Sequence, residues 1–396
     1  MISDRANEIG VSETLFISGE AKKLKAKGVD VINLSVGEPD FPTPKNIKDA
    51  GKAAIDENHT RYTINAGTME LRTAIQAKLR RDNQLEYKLN EIIVSSGAKQ
   101  CCYNAVLSTV NPGDEVIVPS PYWVSYPAMV NLAQGKMVVI NSLEKNGFRI
   151  TPDQLEKAIT PKAKMFILCN PSNPTGSAYN KKELEALAEV AEHGKFYILA
   201  DEIYEKMVYD FEFQSFATVA PRLRDRIILI NGISKSYAMT GWRLGYTAAN
   251  EKIVEAMDKI QSHSTSHPSS VSQFAAIEAL TGPQYVINEM FDEFKKRRDY
   301  LYDELVSIKG ITCYKPEGAF YLFPNISAFL NKHTDHFKIE NSFDLIMYLL
   351  NEAHIAIIPG NAFGAEGFIR VSYATSMENL REAVIRLKKA FSKIIA

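Results

Sequence analysis

Short apolar runs that alternate with amphipathic stretches constrain the fold of this chain more than any other feature. Each run has the length of a strand that is buried on both faces, and each ends abruptly in polar residues, glycine or proline. The runs occupy residues 91–97, 114–121, 164–176, 195–204 and 226–235. Between the third and the fourth, residues 181–194 repeat apolar side chains at the spacing of one helical face. This alternation predicts an α/β fold with a large, doubly wound and mainly parallel sheet.

The last third of the chain has a different pattern. A long charged stretch, 287–305, is typical of a helix, and two shorter mixed segments follow at 315–326 and 342–353. These segments predict a smaller α+β domain. Because the two ends of a chain often lie close together, we expect the first residues to pack with it. The predicted domains are a large one over residues 45–285 and a small one built from residues 1–44 and 286–396.

Composition and charge exclude several classes of protein. The chain has 396 residues, with 46 Lys and Arg against 47 Asp and Glu, and its net charge of −1 gives no basic field for nucleic acid or an anionic membrane. Its four cysteines form no CxxC pair and no zinc spacing, so we expect neither disulfides nor a metal site. The first residues do not resemble a signal peptide, and no apolar run has the length of a membrane span. We expect a cytoplasmic protein that acts on small molecules.

Polar side chains follow the predicted strands, and the carboxyl ends of parallel strands form the ligand-binding edge of such sheets. Lys235 leaves an apolar strand, where desolvation lowers the pKa of an amine and makes it a nucleophile for an aldehyde. Asp201 ends another strand, and a carboxylate buried beneath a ring is satisfied by a protonated heterocyclic nitrogen. Trp123 offers a flat face, and the N–H groups of the turn at Gly97 suit a phosphate. Together these residues predict a site for pyridoxal phosphate.

Each of these residues alone has a commoner structural role. A lysine at a strand end is usually solvated, and an aspartate there often caps a helix. A tryptophan often belongs to the core, and a glycine often serves only its turn. Their joint position at one edge of the sheet favours the cofactor site.

The sequence also resembles a known family, the class I aminotransferases. Residues 232–245 (GISKSYAMTGWRLG) match the family's attachment-site pattern, and residues 170–176 (NPSNPTG) and 200–204 (ADEIY) are further signatures in the expected order. The other matching segments are 35–44, 61–67, 96–100, 121–127, 317–323 and 368–376. The resemblance therefore covers nearly the whole chain. It implies fold type I of the pyridoxal phosphate enzymes and a homodimer with active sites at the subunit interface.

The resemblance implies roles for the residues around the cofactor ring. Lys235 resembles the lysine that forms the Schiff base with the cofactor and later moves the substrate's proton. Asp201 resembles the partner of the pyridine nitrogen. Tyr204 and Asn173 would hydrogen-bond to the phenolic oxygen of the ring, and Trp123 would stack on the ring.

The cofactor's phosphate would be held at the start of a helix. The resemblance implies that N–H groups around Gly97, Ala98 and Lys99 bind it, together with Arg243 of the same chain and with Tyr62 of the partner subunit. In one respect the sequence departs from many relatives, which have serine as a phosphate ligand where this chain has Gly232. Whether the nearby Ser234 replaces that serine stays open.

The resemblance also implies how substrate binds. Arg370 resembles the arginine that binds the α-carboxylate, assisted by Gly37 and Asn173, with Trp123 beside it. Lys99 resembles the lysine that some aspartate aminotransferases use for the distal carboxylate. We therefore expect transfer of the amino group between L-aspartate and 2-oxoglutarate. Thr14 and Lys99 together also resemble relatives that use prephenate, so an aspartate/prephenate aminotransferase is the alternative.

Five other functions have partial support in the sequence. Ser96 and Lys99 match the S-x-x-K element of serine acylases, but the companion Lys-Thr-Gly element is absent. His263 and His267 have the spacing of a zinc pair without the adjacent glutamate, and residues 232–236 lack the second glycine of a P-loop. A transcriptional regulator would need an added DNA-binding module. A pyridoxal phosphate lyase stays open, because the substrate bond that lies perpendicular to the ring decides the reaction.

Overall fold

The structure of the protein, a computed structural model, describes residues 2–10 and 13–395. Its helices and strands alternate through the middle of the chain, as predicted. The strands are β1 (Ile32–Asn33), β2 (Ile92–Ser95), β3 (Glu115–Ser120), β4 (Lys136–Asn141), β5 (Ala163–Cys169), β6 (Tyr197–Asp201), β7 (Ile227–Gly232), β8 (Gly245–Ala248), β9 (Tyr321–Leu322), β10 (Lys332–His333), β11 (Lys338–Ile339), β12 (Ile355–Ala356), β13 (Ile358–Pro359) and β14 (Ile369–Ser372).

The helices include both long stretches that the sequence predicted, at 181–194 and 287–305. They are α1 (Asp4–Asn7), α2 (Glu13–Ala26), α3 (Lys45–Asp56), α4 (Met69–Asn83), α5 (Ala98–Thr109), α6 (Tyr126–Leu132), α7 (Pro152–Ala158), α8 (Lys181–His193), α9 (Phe216–Val219), α10 (Glu251–Ser262), α11 (Ser270–Thr281), α12 (Asn288–Val306), α13 (Ser342–Glu352) and α14 (Met377–Phe391). Asn180 starts α8 through a capping box with Glu183. No helix within the described residues is long and apolar enough to cross a membrane.

A seven-stranded sheet forms the centre of the molecule, in the order β2-β8-β7-β6-β5-β3-β4. Strand β8 is antiparallel to both of its neighbours, and every other pair is parallel, which confirms the mainly parallel sheet. Each of the five apolar runs contains one of its strands. Strands β4 and β8 were not predicted, because β4 is a partly exposed edge strand and β8 (GYTA) contains no branched aliphatic residue.

Helices cover both faces of this sheet. The alternation of side chains along β7 shows this directly, since Ile227 and Leu229 pack into one apolar cluster and Ile228 and Ile230 into another. All four side chains are buried. The doubly wound arrangement therefore rests on apolar packing on both sides of each central strand.

A three-stranded antiparallel sheet, β13-β14-β9, lies in the last third of the chain. Near it, β1 pairs in parallel with β12, where Ile32 faces Ile355 and Asn33 faces Ala356. The early part of the chain thus pairs with the late part. This pairing agrees with a small domain that combines residues 1–44 with residues 286–396. The boundaries of that domain stay a prediction.

The topology brings several strand ends to one edge of the central sheet. Strand β6 ends at Asp201, β7 ends three residues before Lys235, and β2 ends two residues before Gly97. Because β8 is antiparallel to both β2 and β7, those two strands run in the same direction. The carboxyl ends of β2, β6 and β7 therefore meet, as the sequence analysis assumed.

Candidate active site

A cavity of about 1000 Å³ lies at this edge of the central sheet. It brings together most of the residues that the sequence analysis selected. Among its lining residues are Thr14, Gly37, Ala98, Lys99, Trp123, Asn173, Asp201, Tyr204, Lys235, Arg243 and Arg370. Gly97 lies directly beside it, in the turn between β2 and α5. Tyr62 does not line it.

Lys235 lies on the wall of the cavity, in the turn that follows β7. Its amine donates a hydrogen bond to the carbonyl oxygen of Gly37. Burial lowers the pKa of the amine to about 8, although the carboxylate of Glu38 acts in the opposite direction. At pH 7 about a tenth of this amine is therefore unprotonated, far more than of a free lysine, and the neutral form is the nucleophile.

Asp201 is buried beneath the cavity among uncharged donors. The Tyr126 hydroxyl donates to its Oδ2 at 2.7 Å, the Cys102 thiol lies 3.7 Å from the same oxygen, and the Ile203 N–H donates to Oδ1 at 3.4 Å. Burial raises the pKa of this carboxyl, and the hydrogen bond from Tyr126 opposes the effect. A buried carboxylate with only neutral partners suits a protonated ring nitrogen.

The N-terminus of α5 forms an anion cradle. The N–H of Gly97 is not free, because it donates to the Ser95 carbonyl at 2.7 Å, whereas those of Ala98 and Lys99 donate to no other described residue. Arg243 lies over the same turn and donates to the Ser96 carbonyl at 3.3 Å. Two open N–H groups and a guanidinium fit the phosphate of the expected cofactor.

Gly97 is required in this cradle for two reasons. Its φ of 94° lies in the region that side chains rarely adopt, and a Cβ atom there would lie 2.4 Å from Nη2 of Arg243. The missing side chain thus leaves room for the guanidinium.

Arg370 is a buried cation whose partners are neutral. Its side chain is 4% exposed, and it donates to Asn173 Oδ1 at 3.0 Å and to the Ser35 carbonyl at 2.7 Å. Its Nε has no hydrogen-bond partner, and no carboxylate of the described residues pairs with the guanidinium. Burial lowers its pKa. A buried guanidinium in this condition suits the carboxylate of a ligand.

Lys99 supplies another cation to the lining of the cavity. Its Nζ lies 5.2 Å from the centre of the Trp123 ring, which is a cation–π contact. Partial burial and the charge of Arg243 lower the pKa of Lys99. The cavity therefore presents one cation from β14 and another from α5 to an anionic ligand.

Sequence reasoning missed three residues that contact the predicted set. Tyr126 and Cys102 contact Asp201, and the hydroxyl of Tyr321 lies 2.9 Å from that of Tyr204. Tyr126 and Tyr321 belong to family segments that were recognised, 121–127 and 317–323. The resemblance of these segments did not indicate what either tyrosine contacts. Their roles depend on contacts between distant parts of the chain.

Tyr62 and His267, which the sequence also singled out, contact each other. Tyr62 is 94% exposed, and its ring contacts His267 edge to face. His267 Nε2 accepts the N–H of Thr63 at 3.1 Å, so this histidine has a structural partner. Within the described residues there is no group of three or more His, Cys, Asp or Glu side chains that could hold a metal.

Comparisons with known proteins give a consistent result. The family described as aminotransferase class I and II matches residues 29–387. A protein of Rickettsia bellii named probable aspartate/prephenate aminotransferase is 48% identical, and the match covers 98% of each chain. The aspartate aminotransferase of Bacillus subtilis is 45% identical over 99% of each chain. The crystal structure of the Rhizobium meliloti aspartate aminotransferase superposes with a TM-score of 0.96 at 44% identity, over 100% of both chains, which confirms the predicted fold class.

Replacement of Gly97 by alanine should displace Arg243 and weaken the binding of pyridoxal phosphate. Loss of a charge-assisted contact is worth about 1.5–3 kcal/mol, which corresponds to about 10- to 150-fold in affinity. Equilibrium titration of the cofactor-free protein measures the effect. Gly113→Ala is the matched control, because Gly113 also has a positive φ of 83° but a Cβ there meets no atom within 4 Å. Equal affinities in the two variants would refute the role of this turn.

Covalent attachment of pyridoxal phosphate should depend on pH through Lys235. Since only the neutral amine attacks an aldehyde, the attachment rate should rise about tenfold per pH unit well below 8 and level off above it. Stopped-flow absorption with cofactor-free protein gives the rate, and the same reaction with N-acetyl-lysine corrects for titration of the cofactor. A corrected midpoint near 10.5, the value of a free lysine, would contradict the assignment.

Proposed function

Because the chain belongs to the class I and II aminotransferase family, we propose that it transfers the amino group between L-aspartate and 2-oxoglutarate, with oxaloacetate and L-glutamate as products. The observation that carries the proposal is one cavity that holds both an amine with a pKa of about 8 and a buried guanidinium without a carboxylate partner. The first suits a carbonyl cofactor and the second suits the α-carboxylate of an amino acid.

Pyridoxal phosphate fits the residues that line this cavity. Lys235 would hold its aldehyde carbon, Asp201 its ring nitrogen, and the N–H groups of Ala98 and Lys99 with Arg243 its phosphate. Tyr204 and Asn173 would face its phenolic oxygen. When bound, the cofactor supplies a carbonyl that exchanges amino groups and a ring that accepts the electron pair left at the substrate's Cα.

The chain's own residues would then bind and orient the substrate. Arg370 binds the α-carboxylate with two of its donors, and Asn173, which already accepts from Arg370, stays beside it. Together with the bond to the cofactor, this contact would orient the Cα proton of the substrate. Lys235, once its amine is free of the cofactor, would take that proton onto Nζ and later return it. The hydrogen bond from Tyr126 favours the ionised form of Asp201 and opposes the effect of burial on its pKa.

Charge in the cavity supports a dicarboxylate substrate. With Arg370 assigned to the α-carboxylate and Arg243 to phosphate, Lys99 remains for the distal carboxylate. Aspartate, glutamate and their oxo acids would all use the same two cations. One pair of cations cannot hold two such substrates at once, so the donor must leave as an oxo acid before the acceptor binds.

A second candidate acceptor is prephenate, which also carries two carboxylates. Relatives with the name aspartate/prephenate aminotransferase include those of Rickettsia bellii and Cereibacter sphaeroides, the latter 47% identical over 98% of each chain. Thr14 and Lys99, the pair behind this alternative, both line the cavity. Its volume of about 1000 Å³ leaves room for a ring.

The proposal includes a homodimer with shared sites. Within residues 62–69, the side chains of Tyr62, Ile64 and Met69 are 94%, 58% and 58% exposed, an unusual exposure for large apolar groups. A second copy of the chain would cover them, and Tyr62 would then reach the partner's phosphate cradle.

The proposal also includes a cytoplasmic location, which the four free cysteines support.

A half-reaction tests the proposed activity and the role of Lys99 together. Loaded protein mixed with aspartate alone should release about one equivalent of oxaloacetate per site and change its visible absorption. Lys99→Met should lower kcat/KM for aspartate by about 10- to 150-fold, because a charged hydrogen bond is lost, and should leave alanine within about threefold. An acceptor series with 2-oxoglutarate and prephenate then ranks the two candidates.

Lys164→Met is the control for this experiment. Lys164 also lies over an aromatic ring, 5.6 Å from the centre of Tyr197, but it does not line the cavity. Its loss should leave both substrates unaffected. No oxo acid from aspartate would refute the transaminase, and equal losses for aspartate and alanine in Lys99→Met would refute only the distal-carboxylate role.

A further inference from the structure

Tyr321 contacts two parts of the site at once. It lies in β9, is fully buried, and lines the cavity. Its hydroxyl oxygen is 2.9 Å from that of Tyr204, and the two rings meet nearly at right angles, with 6.0 Å between their centres. Tyr204 lies in the turn just after β6, which is a strand of the central seven-stranded sheet. The pair of hydroxyls therefore joins the two sheets at the cavity.

The ring of Tyr321 also supports Arg370. The guanidinium carbon lies 4.5 Å from the centre of the Tyr321 ring and 5.1 Å from that of Phe363. Tyr321 faces Ser372 across the ladder between β9 and β14, two residues from Arg370. The antiparallel pairing thus holds the ring against the cation. The same side chain offers a π face to Arg370 and a hydroxyl to Tyr204.

The hydrogens of the two hydroxyls can be counted. Each tyrosine has one O–H hydrogen, and in the described residues each hydroxyl has the other as its hydrogen-bond partner. One hydrogen fills the bond between them, and one remains. If Tyr321 donates, the hydrogen of Tyr204 is left for a ligand; if Tyr204 donates, it is not. The titratable and charged groups that act electrostatically on both hydroxyls are Arg370 of β14 and Cys169 of β5.

We propose that Tyr321 is a positioning residue whose hydroxyl donates to Tyr204 and so directs the Tyr204 O–H toward the cofactor's phenolic oxygen, while its ring supports Arg370. This inference rests on the proposed function, in which Tyr204 faces that oxygen. A hydroxyl that accepts a hydrogen bond is itself a stronger donor, so Tyr321 strengthens the contact that Tyr204 makes. The binding of substrate carboxylate and the electronic state of the cofactor thereby share one side chain.

The test separates the hydroxyl from the ring. In loaded Tyr321→Phe without substrate, the midpoint of the pH titration of the visible band should rise by about 0.3–1 pH unit, because weaker donation favours the protonated form. Tyr204→Phe should shift it further in the same direction. In the double variant the shift should equal that of Tyr204→Phe alone, since Tyr321 acts through Tyr204.

A second measurement reports on the ring. The dissociation constant of succinate, a dicarboxylate that cannot react, should change less than about twofold in Tyr321→Phe and rise about tenfold in Tyr321→Leu, which removes the π face from Arg370. Tyr348→Phe is the control, because Tyr348 is equally buried but its hydroxyl donates to the Ala390 carbonyl away from the cavity. It should change neither quantity.

The possible failures are distinguishable. An unshifted midpoint in Tyr321→Phe, or shifts that add in the double variant, would overturn the inference while Tyr204 keeps its proposed role. An unshifted midpoint in Tyr204→Phe would overturn that role in the proposed function, and the inference with it.

Discussion

The site depends on three ionisable side chains that are removed from water and form no ion pair with any described residue. Lys235 donates to a backbone carbonyl, Asp201 accepts from a phenol and a backbone N–H, and Arg370 donates to an amide and a backbone carbonyl. Burial of an unpaired charge costs several kcal/mol, and the effect is visible in the lowered pKa of Lys235. A cofactor with an aldehyde and a cationic ring nitrogen, together with the carboxylate of a substrate, would complete all three environments.

The fold holds these groups apart and aims them at one volume. The central sheet supplies Asp201 and Lys235 from adjacent parallel strands, β6 and β7, and the small sheet supplies Arg370 from β14. Residues 35–38 link the two. The carbonyl of Ser35 accepts from Arg370, that of Gly37 accepts from Lys235, and the carboxylate of Glu38 accepts from the Thr240 hydroxyl at 2.7 Å. A short backbone segment thus contacts both the amine and the guanidinium.

Most of the central sheet could be predicted from the sequence, because apolar runs followed by polar residues mark where its strands end. The apolar runs predicted β2, β3, β5, β6 and β7, and the residues that follow them line the cavity. The sequence did not predict features of the site that depend on tertiary contacts. The N–H of Gly97 bonds to Ser95 and leaves Ala98 and Lys99 as the open donors, which depends on the shape of one turn. Tyr126 and Cys102 reach Asp201 from 75 and 99 residues away, so no spacing along the chain could reveal those contacts.

The central claim is that the amine of residue 235 binds the cofactor covalently. Reduction of the loaded protein with borohydride, digestion and mass spectrometry of the peptides tests it most directly. The account predicts the mass of the reduced cofactor on the peptide that contains Lys235, with Lys99 unmodified. The same mass on a different lysine, with the peptide around residue 235 unchanged, would contradict it.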